Sequence, residues 1–320
     1  MLSFMRLTLI LLALTTTAQA QWTIQQSHTT ASLRGIHALG NGIAWASGTA
    51  GTILRTTDDG ITWQTCTTPP EAEKLDFRGI QAFDANTAIV MSSGKGDLSR
   101  LYKTTDGCRT WKLILTNPDP EGFWDAIQFT ANHKTGLLYG DPVDGKFVEF
   151  ATSDFGEHWL RSTDAPSARE GESLFAASNS SLLYQAGKAL IVTGGPSGSR
   201  SLPGSDIPLA GAYSVAASST TLVAVGGDYR KPDVSQGTAA FSTDGGQRWT
   251  AAATPPHGYR SSVAYDSAHK TWLAVGPNGT DISTDDGRHW HPSPGENWNA
   301  LSLPFAVGPN GRIAKVTSHH

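Results

Sequence analysis

Thr56-Thr57-Asp58-Asp59-Gly60-Ile61-Thr62-Trp63 is the stretch that decides the fold. It reads as a small hydroxyl residue, any residue, Asp, any residue, Gly, two more residues and Trp. The pattern returns four times, at Thr104-Thr105-Asp106-Gly107-Cys108-Arg109-Thr110-Trp111, Thr152-Ser153-Asp154-Phe155-Gly156-Glu157-His158-Trp159, Ser242-Thr243-Asp244-Gly245-Gly246-Gln247-Arg248-Trp249 and Ser283-Thr284-Asp285-Asp286-Gly287-Arg288-His289-Trp290. Only the second copy departs from it, with Cys108 where the others carry Gly. Successive Trp residues are 48, 48, 90 and 41 positions apart, the long gap holding two units of which one lacks the motif. Self-similarity at such a period is the mark of a repeat architecture.

The residue types have a physical task. A short Asp side chain accepts hydrogen bonds from backbone N–H groups of its own turn, and Gly supplies a backbone conformation that other residues avoid. The Trp buries a large ring between neighbouring units. The motif resembles the Asp-box of the bacterial neuraminidase repeat. In this reading Asp58, Asp106, Asp154, Asp244 and Asp285, with Trp63, Trp111, Trp159, Trp249 and Trp290, build hairpins and take no part in catalysis.

Working outward from the boxes, seven short apolar runs end in or near Gly, among them Ile43 to Gly48, Ala88 to Gly94, Ala189 to Gly194 and Thr271 to Gly276. Their length, β-branching and bounding turns predict buried strands. A further strand is expected upstream of each: Leu33 to Ala38, Phe77 to Ala82, Phe123 to Ile127, Ser173 to Ala177, Ala212 to Ala216, Tyr259 to Val263 and Trp298 to Leu301. A third leads into each box and a fourth starts at the box Trp. Four strands per unit, repeated seven times, give an all-β seven-bladed β-propeller spanning residues 21–320. The fourth unit has no box and its outer strands read as irregular. The seventh lacks an outer strand, which Gln21 to Gln25 is expected to supply, closing the ring through the chain termini.

Residues 1–20 have the form of a secretory signal peptide: Arg6, an apolar run from Leu7 to Leu14, and Ala18-Gln19-Ala20 before the cut. The run is too short to span a bilayer, so a soluble periplasmic or secreted monomer is expected. Charged residues are 16% and the net charge is −4, without a basic patch, which argues against nucleic acid as a partner. In an oxidising compartment Cys66 and Cys108 are either a disulfide or two unpaired thiols, and both readings stay open. The ten His show no ligand-type spacing, no calcium loop is present, and neither a metal nor a cofactor is expected.

Candidate site residues fall where blades connect and where second strands turn into third strands. Arg34, Arg78 and Arg260 stand near first-strand starts, with Trp124 and Asp125, Glu172 and Trp298 in equivalent places. Asp141-Pro142-Val143-Asp144-Gly145 and Asp228-Tyr229 are expected in second-to-third-strand loops. Arginines grip carboxylates through a bidentate fork, and aromatic faces cover apolar parts of a ligand. These residues are expected to line an axial face that takes a protein or a carbohydrate. Were the protein a glycoside hydrolase, Glu172, Asp141 and Asp228 are the candidate acids. For each acid the competing reading is a turn former.

A sialidase is not indicated: Phe77-Arg78-Gly79-Ile80 and Tyr259-Arg260-Ser261-Ser262 do not match that family's aromatic-Arg-Ile-Pro motif. Gly48 to Asp58, Leu33-Arg34-Gly35-Ile36, Leu75-Asp76-Phe77-Arg78, Gly140-Asp141-Pro142-Val143-Asp144-Gly145 and Gly226-Gly227-Asp228-Tyr229 resemble the photosystem II stability and assembly factor-like propellers. The likeness covers essentially the whole mature chain. It implies an exported binding or assembly module, with Arg34, Arg78 and Arg260 on the face that meets a partner protein. The rival expectation is a carbohydrate-active enzyme of the Asp-box superfamily.

Overall fold

A computed structural model describes residues 20–293 and 295–319. The leader expected over residues 1–20 lies, apart from Ala20, outside them. The described residues form seven four-stranded antiparallel sheets, each built from strands consecutive in sequence except the one that joins the termini. Blade one is Leu33–Gly40, Ile43–Gly48, Ile53–Thr56 and Gln64–Thr65. The innermost strands of the others are Phe77–Ala82, Trp124–Phe129, Leu182–Gln185, Ala212–Ala217, Ser262–Asp266 and Ala300–Ser302. Ala20–Gln25 pairs with Ile313–His319 as the outer strand of blade seven, Trp22 opposite Val316 and Ile24 opposite Ala314. The ring is closed as the terminal segments predict.

A blade cannot bury both of its faces alone, so its apolar residues meet those of the next blade. Seven apolar clusters result, one at each blade-to-blade interface. The cluster between blades seven and one holds Leu33, Ala44, Leu54 and Trp63 against Ala300, Phe305, Val307 and Ile313. The Trp63 ring meets Phe305 edge-on at 5.6 Å, an arrangement favoured by the ring quadrupoles.

The boxes do what their residue types require. In the first, Gly60 N–H and Asp58 N–H donate to Thr56 Oγ1, while Thr62 N–H and Thr62 Oγ1 donate to the Asp58 carboxylate. The other four repeat the backbone N–H bonds to the hydroxyl and to the carboxylate, around Asp106, Asp154, Asp244 and Asp285. Each box carries two consecutive residues at positive φ, such as Asp59 at 64° and Gly60 at 83°. Four boxes place Gly second; the second box places Cys108 there, at φ 65°. Cys108 is disulfide-bonded to Cys66 of blade one. The unusual residue thus holds a backbone shape that costs roughly 1 kcal/mol outside Gly, and links two blades covalently.

Two local expectations are corrected. Ser173 to Ala177 is no strand; apart from an isolated bridge between Ser173 and Gly194, blade four begins at Leu182. Asp141 to Val143 is no loop; it ends the strand Gly136–Val143, and the turn is only Asp144-Gly145, at φ 52° and 77°. Both residues favour a left-handed hairpin turn. Among the described residues no helix is long and apolar enough to cross a membrane.

Candidate functional site

Strand direction separates two ends of the ring. Innermost strands start, and second strands end, at one end; third strands run away from it into the boxes. At the starting end, the register of the first two strands slips by one residue in blades one, two, three and five, skipping Arg34, Arg78, Asp125 and Tyr213. A bulge of this kind re-aims the extra side chain. All four line a single cavity of about 620 Å³, joined by Phe175 of blade four, Ser261 of blade six and Asn299 of blade seven. Every blade therefore contributes a residue to a common space, from beside the start of its innermost strand in six blades and from the segment ahead of Leu182 in blade four, and the wall is completed by Phe123, Asp141, Tyr229, Tyr259 and Trp298.

The floor explains the irregular fourth blade. Residues 176–180 cross the ring instead of forming a strand. Arg78 Nη1 donates to Ala176 O at 3.4 Å, and Asn179 exchanges two bonds with Ile127 of blade three, at 2.8 and 3.0 Å. Ser178 Oγ donates to Ser261 O of blade six at 2.7 Å, and Val215 N–H of blade five donates to Ser180 O at 2.8 Å. Four blades are bridged, and the cavity is divided from a smaller one of about 360 Å³ at the box end. The run Ser178-Asn179-Ser180-Ser181 supplies side chains that bond the backbone locally or across short gaps, which disfavours a continuous ladder.

Charge is arranged by sector. Blades one and two contribute Arg34 and Arg78. Arg78 Nε is engaged with Asp76 at 2.8 Å. Arg34 has no hydrogen-bond or ion-pair partner among the described residues, and its Nε is buried. Burial and then the Arg78 charge pull its pKa down, so an anion placed there would relieve both penalties. Blade three contributes Asp125 and Asp141. Burial, and next the Asp141 carboxylate, push Asp125 well above the usual carboxylate range. Burial pushes Asp141 up to about 6, opposed by the Leu174 N–H that donates to Oδ1 at 3.0 Å. Elsewhere a backbone carbonyl takes that place, as where Leu33 N–H donates to Gly308 O at 3.0 Å. The remaining sector is aromatic: Phe175 stacks on Tyr213 at 3.8 Å, and Tyr259 meets Tyr213 edge-on at 4.9 Å. Burial raises the pKa of both phenols, which keeps them neutral.

Of the sequence candidates, the cavity brings together Arg34, Arg78, Asp125, Asp141, Tyr229 and Trp298. Trp124 is fully buried beneath its wall. Asp144 sits in the hairpin turn beside it. Arg260 has no exposed surface: its Nε donates to Asp281 Oδ2 at 2.7 Å, and Asn278 and His257 complete the network. Glu172 is 4% exposed and gripped by Arg200 through two bonds of 2.6 Å, with Thr193 Oγ1 and Arg169 N–H on the same carboxylate. Although burial pushes it up, these donors hold it below its ordinary range. Asp228 pairs with Arg230 at the rim at 3.0 Å, which holds its carboxyl low. Phe123, Phe175, Tyr213 and Tyr259 were not singled out by sequence. Aligning the blades on Leu33, Phe77, Trp124, Leu174, Ala212, Arg260 and Trp298 would have found Phe175 and Tyr213, since each follows its marker as Arg34 and Arg78 do.

No protein-family model matches the chain, and no curated protein does. Solved structures do. YCF48 from Cyanidioschyzon merolae is 18% identical with a TM-score of 0.65, over 92% of this chain and 98% of that one. The chain shares the fold of YCF48. A second structure of YCF48, bound to a D1 peptide, gives 17% identity and a TM-score of 0.62, covering 92% of this chain and 96% of that one. The GH74 xyloglucanase from Xanthomonas campestris gives 14% and 0.66, over 92% of this chain but only 53% of that one. At such identities the likeness is one of fold, and propellers host many activities. The resemblance to the YCF48-type assembly factors and to glycoside hydrolase propellers, read from the motifs, holds at this level.

Proposed function

We propose that this protein is an exported, monomeric, non-catalytic binding propeller that takes a segment of a partner polypeptide into the cavity at the end of the ring opposite the boxes. One observation carries the reading: Arg34 presents a half-buried guanidinium with no partner among the described residues, beside Arg78, in a cavity walled by aromatics. Such a group is set to receive carboxylates, and the volume suits a few side chains. The YCF48 structure with a bound D1 peptide is a propeller of this fold that takes a peptide. The disulfide between Cys66 and Cys108 fits an oxidising compartment outside the cytoplasm.

Hydrolysis of a glycan is the weaker reading. Glu172 and Asp228, two of the three candidate acids, are held ionised by arginines, and Glu172 is enclosed. Neither is free to donate or accept a proton in turnover. The test is capture of peptides from a random heptapeptide library. The wild type should retain a defined set, and Arg34→Ala combined with Arg78→Ala should weaken their binding at least tenfold. Reducing ends released from xyloglucan, or capture unaffected by the two substitutions, would contradict the proposal.

A further inference from the structure

The arginines account for only one sector of the cavity. The next sector holds a second polar feature that they leave unsatisfied. Asp125 is 1% exposed, lines the cavity, and its Oδ2 has no hydrogen-bond partner among the described residues. A buried carboxylate oxygen without a partner is a costly feature. The neighbouring Arg78 does not supply one: its Nε is committed to Asp76 and its Nη1 lies on Ala176 O. Asp141 stands in the same wall and keeps one oxygen beyond the one given to Leu174. Two acids side by side in a low-dielectric wall hold a proton between them unless a cation takes its place. Beyond them begins the aromatic sector, where the stacked Phe175 and Tyr213 and the edge-on Tyr259 offer apolar surface. An aliphatic stem ending in a positive charge matches this sequence of surfaces.

We propose that Asp125 and Asp141 form a cation subsite, filled by a lysine or arginine side chain of the peptide whose carboxylate lies on Arg34. The site is then dipolar, and selects a segment in which an acidic group and a basic side chain lie within one cavity's breadth of each other. This rests on the peptide-binding reading above and narrows it to a class of sequence. Oppositely charged sectors exclude wrong partners as much as they attract right ones, since a like charge placed in either sector is repelled.

The heptapeptide library again serves as probe, now read by composition. Peptides retained by the wild type should be enriched at least fivefold in Lys or Arg at one position, and Asp125→Asn combined with Asp141→Asn should abolish that enrichment while the dependence on Arg34 persists. A second measurement needs no variant. In the best-retained peptide, replacing the basic residue by norleucine should weaken binding to the wild type about tenfold, whereas blocking the N-terminal amine by acetylation should leave it within twofold. Retained peptides without a basic preference would overturn the cation subsite and leave peptide binding standing. A basic preference that survives both Asn substitutions, or one that traces to the N-terminal amine, would overturn it as well. Retention of no peptide at all would overturn both readings.

Discussion

Asp141 accepts the Leu174 N–H that joins blade three to blade four, and burial lifts its carboxyl to about 6. Its ordinary value is 3.8, so the folded protein keeps a proton that the unfolded chain releases. Stability from this source is present at acid pH and falls as pH rises from about 4 through about 6. Asp141→Asn keeps an acceptor for Leu174 and removes the ionisation. The variant should be within a few tenths of a kcal/mol of the wild type at pH 4, and more stable by roughly 1–3 kcal/mol at pH 8. Denaturant melts of both proteins across that range check it, and a difference independent of pH would remove the argument for a buried acid pair. The box aspartates shift the other way, Asp58 through its bonds from Thr62, but they are common to both proteins and cancel in the comparison. At this scale the sequence was partly legible. Arg34 and Arg78 could be picked out because arginine at the start of a buried strand is unusual. Phe175 and Tyr213 are legible only once the blades are aligned on one another, because an aromatic in an apolar stretch otherwise reads as core; at Tyr213 a bulge then turns the side chain toward the axis.

Elements were legible wherever local chemistry dictates the backbone. Five boxes gave five hairpins, since hydroxyl, Asp and Gly at fixed spacing satisfy one another within eight residues. Residues 173–181 misled for the opposite reason. Their apolar stretch Leu174-Phe175-Ala176-Ala177 has strand character, but their hydrogen bonds go to blades two, three, five and six, which no local pattern records. Asp144-Gly145 is a two-residue turn, so the strand before it runs longer than its composition implies. The closing strand Ala20–Gln25 is the element with the clearest consequence. It covers the edge of Ile313–His319, sets Trp22 5.3 Å from Trp298, and gives Trp63 Nε1 its acceptor at Gln25 Oε1, at 2.8 Å. Deleting residues 21–26 exposes that edge and uncovers Trp298 in the cavity wall. Loss of one such aromatic contact region costs about 3–5 kcal/mol, so the melting temperature should fall by roughly 10 °C or more. An unchanged melt would mean that the ring does not depend on its terminal closure.

The whole molecule is a ring with two unlike ends. The boxes give one end its five repeated turns; the other gathers one side chain from every blade into a single cavity. The division follows from the architecture. Turns that hold a hairpin together repeat with the blade, whereas residues that meet at the axis need not repeat, because each blade contributes a different part of one surface. That is why the period was plain in the sequence and the site was not: the former is a local signal and the latter exists only after closure. The Cys66–Cys108 link and the axial segment 176–180 both tie blades together, the former at the box end and the latter beneath the cavity.

Binding is proposed at the axial cavity, and the box hairpins serve construction. Amide hydrogen exchange of the wild type, with and without the best-retained library peptide, tests this directly. Added protection is predicted at residues 33–35, 77–79, 123–126, 173–177, 212–214 and 227–230, with the five box turns unchanged. Protection centred on the box turns, or on the outer strands with the axial segments unaffected, would contradict it.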